Sequence, residues 1–100
     1  MIVQYAVVPI RPDAREEAID ALSDLGEASR EEDGVIEYRV NADIDDENTV
    51  RIFEVYEDQE AVDAHMTSDH FEAFQAQVPE FAGGEVTLMK YEVSDATQLM

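Results

Sequence analysis

The sequence has no cysteine and no tryptophan, a single lysine, and only three prolines and four glycines in 100 residues. Without cysteine there is no disulfide, no thiolate metal site and no cysteine nucleophile, and thiols say nothing of the redox compartment. Bases are equally scarce: six Lys and Arg stand against twenty-five Asp and Glu, a formal net charge of -19. Such a surface repels phosphate backbones and anionic lipids, so no nucleic-acid or membrane-surface partner is expected. No apolar run approaches the ~20 residues of a membrane-spanning helix, and Met1-Ile2-Val3 offers no basic leader, so a cytoplasmic location is expected. Self-repulsion of this size is relieved when salt shortens the screening length to about 3 Å at 1 M. The composition therefore fits a salt-adapted cytoplasm better than an acidic protein awaiting a cationic partner, and stability should rise with KCl.

What is present is enough for one packed domain. Hydrophobic residues make up 45% of the chain, and the turn-forming residues fall at element ends, which argues against disorder. Residues 1–94 read as the domain and 95–100 as a polar tail. Ile2 to Pro9 form a strand with Ile2, Ala6 and Val8 on one face and Val3, Tyr5 and Val7 on the other. Pro12 and Asp13 open the longest helix, whose inward stripe is Ala14, Ala18, Leu22, Leu25 and Ala28. Glu31-Glu32-Asp33 reads as its solvated end and Gly34 as its stop. Val35 to Ala42 is a second strand. Asp43 to Asn48 is a turn whose acids lack the central Gly and the later Glu of a calcium loop.

Val50 to Tyr56 is a third strand, with Val50, Ile52, Glu54 and Tyr56 on one face and Arg51, Phe53 and Val55 on the other. Asp58 caps a helix in which Ala61, Val62, His65 and Met66 recur at helical spacing. Thr67 and Ser68 break its register. Ser68 or Asp69 then caps a second helix with Phe71, Phe74, Gln75 and Val78 on one face, ended by Pro79 and Gly83-Gly84. Glu85 to Val93 is the last strand. The order strand, helix, strand, strand, helix pair, strand predicts an α+β, ferredoxin-like split βαβ fold: four antiparallel strands covered by helices on one face. The first strand is apolar on both faces, so the uncovered face of the sheet is expected to pair with a second copy in a homodimer.

The chemistry concentrates in Phe53 to Phe74, which holds both histidines. His65 faces inward near Glu54 and Tyr56. An imidazole with an ordinary pKa near 6.5 can take a proton at neutral pH, so His65 is a candidate base. Glu54 would orient it or replace it, and Tyr38 or Tyr56 would donate to a substrate oxygen. The competing reading is a structural His65 to Glu54 hydrogen bond in the core, with Tyr38 and Tyr56 as core rings whose hydroxyls reach a wet edge. Phe53, Met66, Phe71, Phe74 and Met89 are candidate pocket walls. No metal site is expected: an interval of five turns His65 and His70 about 140° apart on one helix, unless the break at Thr67-Ser68 redirects one. His70 reads as exposed or as a neighbour of the cap.

The Glu54-x-Tyr56 strand, its acidic turn, the run Ala61-x-x-Ala64-His65-x-x-Ser68-x-His70-Phe71 and the earlier Gly34-Val35-Ile36-Glu37-Tyr38 resemble the antibiotic biosynthesis monooxygenase family. The resemblance extends over roughly the whole chain. It implies a ferredoxin-like fold that pairs into a dimeric α/β barrel, and oxidation of an electron-rich aromatic of quinol or anthrone type by molecular oxygen without a bound cofactor. Tyr56 stands where that family often has Trp. A haem-degrading branch uses a Trp and a pocket Asn, and a chain without Trp does not fit it. The alternative from another class is a non-catalytic dimeric module that binds a small aromatic metabolite.

Overall fold

A computed structural model describes residues 1–100. The elements are β1 (Ile2–Pro9), α1 (Arg15–Arg30, entered through a 3-10 turn at Pro12–Ala14), β2 (Val35–Ala42), β3 (Thr49–Tyr56), α2 (Gln59–Met66), α3 (Asp69–Phe81) and β4 (Thr87–Glu92). The strands form one antiparallel sheet in the order β2-β3-β1-β4, the ferredoxin-like arrangement expected from the alternation of periods. No helix is long and apolar enough to cross a membrane. Residues 95–100 carry no regular structure and are exposed.

Alternation fixes which face is which. On β1, Ile2, Gln4, Ala6 and Val8 are buried while Val3, Tyr5 and Val7 are only partly so. Ala6 and Val8 pack with Tyr38, Val50 and Ile52 against Ala18, Ala21, Leu22 and Leu25 of α1 and Phe74 and Phe81 of α3, while Ile2 packs with Tyr56, Ala61 and Val62. The stripe of α1 ends on Ser29 rather than Ala28: Ser29 is fully buried, and Ala28 is partly exposed. A side chain at Gly26 would sit 3.1 Å from Val40 Cγ2, so glycine there lets α1 lie close to β2.

Two helix ends differ from expectation. Gly34 has no positive φ and is not a left-handed cap; its role is proximity, because a Cβ there would lie 2.4 Å from Ala61 Cβ of α2. Pro79 does not stop α3, which continues to Phe81. That extra turn seats Phe81, wholly buried, in the main core. Proline removes the amide that would bond the carbonyl four residues before it, at a cost of about 3 kcal/mol in a helix interior, and burial of the Phe81 ring, worth roughly 1.5–3 kcal/mol, offsets it.

Candidate active site

The inner face of the sheet carries a polar row set among apolar neighbours. Register places Tyr38 opposite Glu54, Glu54 opposite Gln4 and Gln4 opposite Lys90, so one residue from each strand lies in a single line across the sheet. Beside this row lies a cavity of about 300 Å³. Its walls are Ala6, Val8 and Ile52 of the sheet, Leu25 of α1, Met66 of α2, Phe71, Phe74, Gln75 and Val78 of α3, and Val86 and Leu88 near the edge strand. Gln4, Glu54, Gln75 and the Tyr38 hydroxyl supply its polar groups.

Glu54 is the only carboxylate in the lining. Tyr56 Oη donates to Glu54 Oε1 at 2.6 Å. Burial pushes the Glu54 carboxyl up to about 7, the Tyr56 hydrogen bond opposes this, and the charge of Glu32 adds to the rise. Tyr38 and Tyr56 are also raised, chiefly by burial and next by the Glu54 charge, so both phenols stay protonated. They have no wet edge; both rings are fully buried. Gln4 Oε1 is buried and lacks any partner in the protein, an acceptor whose desolvation only a donor from within the cavity would offset.

His65 is elsewhere. It is 1% exposed, does not line the cavity, and is bonded to Glu32 rather than to Glu54: its Nδ1 lies 2.9 Å from Glu32 Oε2. The expected His65 to Glu54 contact is thus replaced by one to the supposedly solvated end of α1. The rings of Tyr38, Tyr56 and Phe71 surround His65 with centroids 5.0 to 5.6 Å away, and its Nε2 has no partner. Burial lowers the His65 pKa, against the pull of Glu32. His70 is neither exposed nor a bystander to the cap. Its Nε2 lies 2.6 Å from the same Glu32 oxygen, because Ser68 caps α3 through its bond to Phe71 N and starts the helix in a new direction. Glu32, His65 and His70 therefore each present one metal-ligating atom, all within 4.8 Å of one another.

Of the candidates from sequence, Glu54, Tyr38, Met66, Phe71 and Phe74 meet at the cavity, and Tyr56 supports it from behind through Glu54. Phe53 and Met89 do not line it. Both pair in register with Tyr5, whose phase on β1 is outward, and they are 38% and 55% exposed. Gln4 and Leu88 were not among the expected residues. Gln4 had a legible signal, being the one polar side chain in the buried phase of β1. Glu32 had none, because its role depends on where α2 and α3 bring two rings.

The profile of the family described as antibiotic biosynthesis monooxygenase matches residues 1–77. YcnE of Bacillus subtilis (strain 168), provisionally named a monooxygenase, is 30% identical over 95 residues, spanning 95% of this chain and 100% of that one. Rv0793 of Mycobacterium tuberculosis superposes with a TM-score of 0.90 at 28% identity, covering 97% of this chain and 98% of its own. A structure described as an antibiotic biosynthesis monooxygenase shares the fold at a TM-score of 0.88 and 21% identity, covering 95% of this chain and 100% of its own.

Proposed function

Because this chain belongs to the antibiotic biosynthesis monooxygenase family, we propose that its cavity binds an electron-rich hydroxyarene of quinol or anthrone type and oxidises it with molecular oxygen, Glu54 serving as the base. The observation that carries this reading is a carboxyl held at the inner face of an apolar cavity, raised to about 7 by its burial. A base is most effective when its pKa lies near working pH, since it is then both ionised and basic.

For an activated methylene the steps balance as follows. Glu54 takes one proton from carbon, and the resulting carbanion, delocalised onto its oxygen, passes one electron to O₂. The carbon radical and superoxide combine to form a C–O bond, and the proton held by Glu54 completes the hydroperoxide. Loss of the second C–H proton with cleavage of O–O leaves a carbonyl and one water. Gln4 Oε1 accepts from a substrate hydroxyl, and the apolar walls keep water from the charged intermediates. His65 enters as a residue that fixes the packing behind Tyr38 and Phe71, not as the base.

The outer sheet face, with Phe53, Met89 and Tyr91 exposed, is the surface for a homodimer, measurable as sedimentation mass. The test of the reaction is oxygen uptake with hydroquinones and anthrones, comparing the wild type with Glu54→Gln after both are shown to be folded. Uptake above autoxidation that falls at least a hundredfold in the variant supports the oxygenase. Equal uptake in both removes Glu54 from the role. The binding-module reading rests on the same cavity and predicts stabilisation by such compounds with no oxygen consumed.

A further inference from the structure

We propose that Glu32, His65 and His70 form a binding site for a divalent first-row transition-metal ion, separate from the cavity. The three donors come from different elements: the turn after α1, the last turn of α2 and the first turn of α3. Two imidazole nitrogens and a carboxylate oxygen form a set suited to zinc, iron, nickel or copper rather than to calcium or magnesium. An ion about 2.1 Å from each donor separates neighbouring donors by about 3 to 3.5 Å. The Glu32 oxygen already lies 2.9 Å from His65 Nδ1 and 2.6 Å from His70 Nε2, and the three ligand atoms lie within 4.8 Å of one another, so an ion is admitted once the two imidazoles turn toward each other and the Glu32 oxygen draws back slightly. His70 is 28% exposed on its side chain and Glu32 17%, which leaves a path from solvent.

The state of His65 supplies an independent reason. A neutral imidazole has one proton for two nitrogens. If that proton sits on Nδ1 to bond Glu32, then Nε2 is a bare lone pair, buried, unpartnered and enclosed by three aromatic rings. If it sits on Nε2, where N–H against aromatic density is weakly favourable, then the Nδ1 lone pair confronts a carboxylate. A cation between Nδ1 and Glu32 resolves the conflict: it takes the Nδ1 lone pair and the carboxylate together and leaves the proton on Nε2. The anionic surface, with a formal charge of -19, also attracts cations without a site, so the test must separate the two.

Chain stripped of metal with EDTA and desalted into about 1 M KCl, where screening falls to roughly 3 Å, is titrated with Co²⁺ and read by visible absorption. Zn²⁺ is then added in competition. The expected result is a saturable spectrum at one ion per chain that Zn²⁺ displaces. His70→Ala should weaken it at least a hundredfold, while Asp45→Asn with Asp46→Asn, in the distant acidic turn, should leave it unchanged. Zn²⁺ should also raise the unfolding temperature of the wild type and not of His70→Ala. Non-saturating uptake by the wild type, or equal affinity in His70→Ala, overturns the site.

Discussion

Two carboxylates of the chain sit in contrasting surroundings, Glu54 buried and Glu32 partly exposed. Glu54 has one phenol for a partner and an apolar cavity beside it, and its burial raises it to about 7. Glu32 sits at a helix end with two imidazoles on a single oxygen. The first is left short of partners, which is what a reacting group needs. The second is over-supplied with nitrogen donors, which holds three elements together. What a carboxylate can do is thus set by what the fold places around it, and the distinction can be broken or sharpened experimentally.

The largest effect is expected from Glu54→Gln, which keeps the shape of the side chain and removes the proposed base. Oxygen uptake should fall about a hundredfold or more, with circular dichroism unchanged. The pH dependence of stability comes next. The folded Glu54 pKa is raised above its ordinary value of 4.5, so its contribution favours folding below that value and is lost as pH climbs through about 7. The loss is at most about 3 kcal/mol. Denaturant unfolding at pH 4.5 and pH 8 should show this decline in the wild type and not in Glu54→Gln. Activity should rise over the same interval, because only the ionised carboxylate is a base, so stability and turnover run in opposite directions.

Gly34→Ala tests the other cluster. Its added methyl would lie 2.4 Å from Ala61 Cβ and should cost about 2 kcal/mol by overpacking, seen as a lower unfolding midpoint. The pH at which turnover is half-maximal should stay in place, because the clash is at α2 and not at the cavity. His70→Ala, which leaves Glu32 with His65 alone, should cost about 1 kcal/mol in the absence of metal. An equal shift of the turnover profile in either variant would show that the two carboxylates act as one unit.

Most of the fold was legible in the sequence because its strands and helices keep their periods. The order of elements, the two faces of β1 and β3 and the Asp58 and Ser68 caps all follow from local pattern. The candidate site was legible where it sits on one strand phase, as Glu54 and Tyr38 do. It is not legible where tertiary geometry decides. Phe53 and Met89 have the chemistry of pocket walls but the wrong strand phase once registered against Tyr5. The partner of His65 could not be found, because Glu32 stands thirty-three residues away in a run of like charges. The redirection of His70 rested on a helix break whose angle local sequence does not set.

Lys90 is the only lysine, and its ammonium donates to Gln59 Oε1 at 2.9 Å, tying β4 to the start of α2. Its backbone lies opposite Gln4 in the row that crosses the sheet. Amine-directed chemistry therefore has one side-chain target in the whole molecule. A fluorophore attached there would report the environment at the edge strand beside the cavity without any engineered attachment point.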